Sequence, residues 1–355
     1  GDRRIPVDTG FIVFNKRNYP NLTPLFEHLG IAIHESNMTF AATVDGGTLE
    51  WCARDLNGVF GQRRNLLRPS FYRLLFQVKR FNREAALTIA KNPAMTLGEL
   101  AHTLQLGDDF LHHYILPMGG AIWSAPPSKI MDFPAETFIR FFENHGLLST
   151  SGQPQWYTVT GGSQEYIKKI TAPYASRIRT NCSVTRVMRA DGKVQVTDST
   201  GDTNTYDQVI FAAHADETLA MLGDATAEEK AVLGAFTYQK NHAVLHCHPG
   251  VMPRRKRCWA SWVYMATNPG SEANISVSYW MNLLQAIDER YPLFVTLNPI
   301  TPIPPETVFD RHDFTHPVFT RAAIDAQTRI PEIQGKRGCW FAGAYQRYGF
   351  TKMAC

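Results

Sequence analysis

Apolar residues along the chain switch between two periods, and the switches divide it into segments. Ile5 to Asn15 is an extended, β-rich run around Gly10. Leu22, Leu25, Phe26 and Leu29 then fall at helical spacing, with Thr23 placed to cap, Pro24 to take the first helical position and Gly30 to end the helix. Residues 31–51 return to strands, with a hairpin turn at Gly46-Gly47. From Pro69 to Leu148 the period is helical. Phe71, Leu74, Leu75, Val78 and Phe81 make one stripe, Thr96 caps the next helix, and Phe110–Leu116 and Phe138–Phe142 supply two shorter ones. Aromatic stripes of this kind are core formers first.

The pattern changes after the Gly/Ser/Pro-rich break at Ser149–Pro154. A strand at Tyr157–Thr160 leads through Gly161-Gly162-Ser163 into a helix reaching about Ala175. Alternating strands follow, separated by turns at Asp191-Gly192 and Thr200-Gly201-Asp202. The run Val209-Ile210-Phe211-Ala212-Ala213 has no polar alternation and reads as a central strand buried on both faces. Asp216 to Leu233 is helical, and Ala243–His248, Trp259–Met265, Ile275–Trp280 and Leu293–Leu297 are strands. A short helix at Ala322–Ile330 precedes the apolar run Cys339–Ala342, which opens into a turn carrying Gly343 and Gly349. The fold class is α/β (α+β mixed), and 355 residues imply about two domains.

Composition adds limits. A hydrophobic fraction of 44% and a charged fraction of 19% describe a globular chain. The net charge of +4 is too small for a dedicated nucleic-acid binder, and no nucleic-acid partner is expected. The densest basic run, Arg254-Arg255-Lys256-Arg257, reads as a solvated loop, with a nucleic-acid, import-signal or anionic-lipid (membrane-surface) patch as the minority alternative. Six cysteines without a Cys-x-x-Cys pair point to a reducing, cytoplasmic compartment. The first residues have no apolar signal core, and no run approaches the ~20 apolar residues of a membrane span.

Candidate chemistry is sparse. In a strand, His246 and His248 share a face, which gives two nitrogen donors where zinc needs three or four, so no metal site is assigned. Gly-x-Ser-x-Gly, His-Glu-x-x-His and Gly-x-x-x-x-Gly-Lys motifs are absent, and no catalytic residue can be nominated from spacing.

The ordered set of motifs says more. Gly161-Gly162 opening a helix, Asn181-Cys182-Ser183-Val184-x-x-Val187, Val194-x-Val196, Asp207-x-Val209-Ile210-Phe211-Ala212-Ala213, Phe341-Ala342-Gly343 and Tyr348-Gly349-Phe350 together resemble the FAD-dependent amine oxidase and phytoene desaturase superfamily. Val7–Asn15, Tyr19-Pro20-Asn21-Leu22, Asn241-x-Ala243-Val244-Leu245-His246, Met252-Pro253 and Tyr279-Trp280-Met281-Asn282-x-Leu284-Gln285 resemble a branch of predicted NAD/FAD-binding proteins. The resemblance spans nearly the whole chain. It implies an incomplete FAD/NAD(P)-binding Rossmann-like domain from 1–15, 155–235 and 335–355, and a mixed-sheet plus helical substrate domain from 16–154 and 236–334.

By the same resemblance, Val184 meets adenine, Gly343 and Ala344 lie beside the diphosphate and ribityl chain, and Tyr348, Gly349 and Phe350 lie near the ring. Thr9 and Gly10 enter the flavin face, while Tyr279, Trp280 and Asn282 line the substrate cavity. The implied activity is transfer of a hydride from an apolar or amine substrate to noncovalent FAD. The aromatic content favours a lipid or fatty acyl substrate. The Gly-x-Gly-x-x-Gly fingerprint with its acidic ribose partner is not in the sequence, nor is a helix after Gly343. The expectation is therefore a chain truncated at both ends, with weak or no FAD retention. The alternative is a non-catalytic fragment or binding protein that has lost its cofactor site.

Overall fold

The computed structural model describes residues 4–123, 127–149, 152–267 and 275–347. The strands among them are β1 (Phe14–Asn15), β2 (Ile33–Ser36), β3 (Phe40–Val44), β4 (Leu49–Cys52), β5 (Trp156–Val159), β6 (Val184–Ala190), β7 (Lys193–Asp198), β8 (Thr203–Tyr206), β9 (Val209–Phe211), β10 (Thr237–His246), β11 (Trp262–Ala266), β12 (Ile275–Trp280), β13 (Phe294–Leu297), β14 (Val308–Val318) and β15 (Cys339–Phe341). Two compact units form, Gly1–Ile167 with Lys240–His316, and Lys168–Gln239 with Pro317–Cys355. These boundaries differ from the expected ones. Residues 1–15 and 155–167 group with the first unit, because β1 and β2 both pair with β5 in a three-stranded sheet.

The first unit is organised by a seven-stranded sheet of order β14-β10-β13-β12-β11-β3-β4. β3 and β11 pair in parallel, Ala41 opposite Val263, whereas β11–β12, β12–β13, β10–β13 and β3–β4 are antiparallel. The parallel pairing begins at a hook: the Thr39 N–H donates to Ser261 Oγ at 2.8 Å, and the Ser261 N–H donates to Thr39 Oγ1 at 3.1 Å. One face of the sheet carries Ala41, Cys52, Val263 and Phe294, packed beneath Val251, Met252 and Cys258.

The segment that covers this face includes the basic run, which only partly behaves as a solvated loop. Glu50 is fully buried; it accepts the Arg254 N–H at 2.8 Å and pairs with Arg255 Nη1 at 2.7 Å. A buried carboxylate needs donors, and this loop supplies them.

The 23-residue helix Pro69–Lys91 buries Phe71, Leu74, Phe81, Ala85 and Ile89, but leaves Leu75 and Val78 of the expected stripe only half-buried. Around it, Phe81–Phe110 and Phe138–Phe142 ring pairs at 5.2 and 4.4 Å fill the helical core. Thr96 forms the expected cap, as a reciprocal pair with Glu99. The helix Leu22–His28 starts two residues earlier than a Thr23 cap would place it, with Asn21 before it. Pro24 then sits third in the helix, which is allowed because first-turn N–H groups have no intrahelical acceptor.

The second unit contains the meander β6-β7-β8, with Asp191 and Gly192 at φ +51° and +73° in its first turn, and the parallel pair β9-β15. Its core gathers Val187, Val194, Phe211, Leu222, Phe341 and Tyr345. Arg189, with a side chain 2% exposed, reaches both oxygens of the equally buried Glu229 at 2.5 and 2.9 Å and pairs with Asp224. The expected single helix from Asp216 to Leu233 is two, Ala215–Met221 and Ala227–Leu233. At Gly223, between them, a Cβ would lie 2.6 Å from Met188 Sδ. β9 is not the doubly buried strand its composition suggests. Ile210 is 69% exposed, and its register partner Trp340 is 42% exposed. Among the described residues, only β15 pairs with β9.

His246 is buried on the seven-stranded sheet with both ring nitrogens engaged. Nδ1 accepts the His248 N–H at 3.1 Å, so Nε2 carries the proton and donates to Thr296 Oγ1 at 2.8 Å; that hydroxyl also meets Ser278 Oγ at 2.9 Å.

Two outcomes follow. Glu229→Ala leaves the buried Arg189 guanidinium with Asp224 as its remaining counter-charge and should cost about 3 kcal/mol, the low end for a broken buried pair, read as an earlier circular-dichroism transition in urea. Burial drives His246 down to about 4 from its ordinary 6.5. A histidine neutral in the native state and protonated when unfolded contributes fully above about pH 6.5. On the order of 3 kcal/mol should therefore be lost as pH falls from 6.5 to 4. An unchanged pH slope in His246→Gln would place that proton uptake elsewhere.

Candidate functional site

Of the residues singled out in the sequence, Thr9, Gly10, Tyr279, Trp280 and Asn282 belong to the first unit, and Val184, Gly343 and Ala344 to the second. Tyr348, Gly349 and Phe350 lie outside the described residues.

In the first unit a half-buried carboxylate ties three remote segments together. Asp8 accepts the Ser163 N–H on both oxygens, at 2.9 and 3.0 Å. Gln285 Nε2 donates to Asp8 Oδ2 at 3.0 Å, and its Oε1 accepts the Asp8 N–H at 2.9 Å. The extended segment 7–10, the Gly161-Gly162-Ser163 turn and the end of the 281–285 helical turn thus meet at one side chain. Both glycines have left-handed backbone, φ +86° and +87°, and a Cβ on Gly162 would stand 3.3 Å from Asp8 Oδ1. Burial pushes the Asp8 carboxyl above its ordinary range, against the bonds from Ser163. Beside this junction lies a cavity of about 210 Å³, whose walls include Arg4, Pro6, Gly161, Gln285, Asp288 and Tyr291.

Asp8 acts as a brace. Its oxygens are occupied by donors, and it fixes the strand-like segment that presents Thr9 and Gly10. Gly10 is exposed, with no atom within 4 Å of where a Cβ would be, so a ligand can approach this backbone. Sequence reasoning passed over Asp8 and Gln285 although both lie inside the quoted motifs. The available signal was a carboxylate and an amide at the edges of apolar runs; no spacing rule pairs residues 277 positions apart.

The three expected cavity residues part company. Tyr279 and Trp280 are consecutive in β12 and point to opposite faces, so they cannot line one cavity together. Trp280 packs edge-on against Trp259 at 5.1 Å on the Cys52 face. Tyr279 packs edge-on against Trp262 at 5.0 Å on the other. Asn282 is buried and spends its amide on backbone: Nδ2 serves the carbonyls of Ile287, Asp288 and Tyr291, and Oδ1 accepts from Leu293 N–H and Trp280 Nε1. It shapes the loop that walls the cavity and has no donor left for a substrate.

The Tyr279 face is an apolar wall. Val7, Ile12, Met38, Trp156, Trp262 and Tyr279 are half-buried there over Val13, Leu284 and Val295. The indole Nε1 of Trp262 is buried without a hydrogen-bond partner.

In the second unit, β9 and β15 end side by side, Phe211 opposite Phe341 with rings 5.5 Å apart, and run into Ala212-Ala213 and Ala342-Gly343-Ala344. Ligands of open α/β sheets bind beyond such carboxyl ends. Small residues keep this end open, and at Gly343 a Cβ would lie 2.4 Å from the Tyr345 ring. The Tyr345 hydroxyl is buried and unpartnered. Val184, at the start of β6, is exposed and free to contact a flat ring. These residues suit one side of a dinucleotide. They supply no glycine-rich cradle for its diphosphate.

The model of the family described as flavin containing amine oxidoreductase matches residues 2–231. No curated protein gives a significant sequence match. Several solved structures share the fold. A CLA-producing fatty acid isomerase from P. acnes is 11% identical, with 98% of this chain and 84% of that one covered and a TM-score of 0.63. Cyclohexylamine oxidase from Brevibacterium oxydans IH-35A is 11% identical, with 99% and 86% covered and a TM-score of 0.65. A putrescine oxidase variant redesigned in cofactor binding is 9% identical, with 98% and 86% covered and a TM-score of 0.61.

The brace yields a direct test. In Asp8→Asn one oxygen must serve both Ser163 N–H and Gln285, and the new amide nitrogen faces a donor. The variant should lose about 1–3 kcal/mol, and Gln285→Ala should lose much less once Asp8 is already Asn. Additive losses in that double-mutant cycle, measured by urea unfolding, would show the two side chains to be uncoupled.

Proposed function

Because this chain belongs to the flavin containing amine oxidoreductase family, we propose that it serves a flavin-dependent oxidoreductase activity, of oxidase or desaturase type, acting on a substrate with a substantial hydrocarbon part. The observation that carries the substrate class is the apolar wall of the seven-stranded sheet, where Trp156, Trp262, Tyr279 and Met38 remain half-buried. A wall of this kind gains roughly 25 cal/mol for each Å² of apolar ligand surface it removes from water. It offers little to a small polar amine. Fold relatives include both a fatty acid isomerase and amine oxidases, so the architecture accommodates either class.

FAD, held without a covalent bond, would lie with its adenine toward Val184 and its diphosphate and ribityl chain along Gly343 and Ala344. In the first unit, the open Thr9-Gly10 backbone is the segment proposed to meet a flavin. When bound, the flavin supplies the acceptor for a hydride leaving a substrate C–H bond. The protein's own share is orientation and exclusion of water. Asp8 and Gln285 hold the Thr9-Gly10 backbone, Asn282 fixes the loop at 287–293, and the aromatic wall desolvates the reacting carbon.

The test has two stages. Titrating the chain with FAD should quench flavin fluorescence weakly, and Gly343→Val should abolish the quenching by driving a side chain into Tyr345. With a flavin-loaded form under anaerobic conditions, fatty acyl lipids should bleach the flavin absorbance while small polyamines should not. Bleaching by polar amines alone would falsify the apolar-substrate reading.

A further inference from the structure

The net charge of +4 conceals a strong asymmetry. Residues 54–91 hold nine Lys/Arg against two Asp/Glu, and residues 254–257 add four more cations, so the remainder of the chain is net acidic. The fold joins these two stretches in the first unit. Arg64 and Arg68 both donate to the Thr48 carbonyl, and Arg255 reaches the Gly47 carbonyl at 3.4 Å. A cleft of about 590 Å³ opens among Arg63, Arg64, Arg255, Lys256 and Arg257. Burial, and then the neighbouring Arg68 and Arg255, press the Arg64 guanidinium below its ordinary value. The one buried carboxylate nearby, Glu50, is already taken by Arg255. The cleft is therefore a concentration of positive charge seeking an anion.

The same surface exposes large apolar side chains. Leu67, in the turn that carries Arg63 and Arg64, is 87% exposed, and Leu66 beside it is also exposed. The turn is tied to the next helix by the Tyr72 hydroxyl, which donates to the Leu66 carbonyl at 3.0 Å. Along helix Pro69–Lys91, the exposed residues Tyr72, Phe76, Lys79, Arg83 and Leu87 recur at steps of three and four, which places them on one face. Phe76 is 71% exposed. The opposite face of this helix is already buried in the helical core; on the outer face Tyr72 packs against Phe60, while Phe76 and Leu87 stay largely in solvent.

From this juxtaposition of unsheltered Leu and Phe side chains with a cationic cleft, we propose that the turn Arg63–Leu67 and the outer face of helix Pro69–Lys91 dock on an anionic phospholipid bilayer, with lipid phosphates in the arginine cleft. Aliphatic and aromatic anchors flanked by Lys and Arg are the composition of an interfacial helix face. A nucleic acid would use the cations but not Leu67 or Phe76. A second copy of the chain would set two strongly cationic faces against each other, which Coulomb repulsion opposes. The inference is independent of the flavin reading, since it concerns neither cofactor nor substrate residues.

The experiment is co-sedimentation of the full chain with vesicles of phosphatidylcholine alone or mixed with phosphatidylglycerol, over a salt series. Binding is expected only to the mixed vesicles and should weaken as salt rises. Leu67→Ser with Phe76→Ser should lower partitioning about tenfold or more. Lys79→Ala and Arg257→Ala should each lower it about fivefold. All four positions are exposed, and unchanged near-ultraviolet circular dichroism checks that the variants fold. Three results would overturn the proposal. They are equal or absent binding to both vesicle types, binding to heparin and to mixed vesicles alike that ignores the Leu67/Phe76 pair, or a concentration-dependent dimer that those two substitutions abolish.

Discussion

The first unit depends on one long-range closure: the parallel pairing of β3 with β11, hooked at Thr39 and Ser261 across 222 residues. Closing a loop of that length is entropically unfavourable until many contacts form together, so the strands on either side must act cooperatively. The hook shows how the register is held. Each residue's backbone N–H is bonded by the other's hydroxyl oxygen, so a slip of one residue would break both bonds and turn the apolar set of β3 away from its core. With this register in place, Glu50 in neighbouring β4 is buried beneath the 254–257 loop, and the other sheet face is left for the aromatic wall.

Carboxylates ringed by donors recur as the device that joins segments distant in sequence. Asp8 gathers Ser163 and Gln285, Glu50 gathers Arg254 and Arg255, and Glu229 gathers Arg189. Each carboxylate is surrounded by donors, which the buried Glu50 and Glu229 need to remain away from water. The consequences differ with position. At Asp8 the brace holds an open backbone segment with a cavity beside it. At Glu50 one guanidinium is neutralised while its neighbours are left exposed, and the charge that remains forms the cationic cleft. At Glu229 the pair is wholly internal and fixes the helices over the meander.

Two exposed apolar features among the described residues have different settings. Ile210 and Trp340 stand together on an otherwise regular pair of parallel strands in the second unit. Leu67 and Phe76 stand among cations in the first. Only the latter comes with charge that selects an occupant, and a sheet edge bearing hydrophobics says nothing of its partner's chemistry.

Local periodicity determined much of this protein. The helix over 69–91, the Thr96 cap, the turns at Gly46-Gly47 and Asp191-Gly192 and the strands of the meander all follow from spacing, because each depends on residues a few positions apart. The ordered motifs also sufficed to reach the flavin-dependent amine oxidase superfamily. Tertiary structure decided what spacing cannot express. It separated Tyr279 from Trp280 by strand alternation, turned Asn282 inward onto backbone carbonyls, and left Ile210 exposed where composition suggested burial. It also brought together Asp8, Ser163 and Gln285, and massed onto one surface the charge that the bulk total of +4 averages away. These are long-range facts: a hydrogen bond between residues 8 and 285, or a cleft shared by residues 63 and 257, comes into being only when the chain closes on itself.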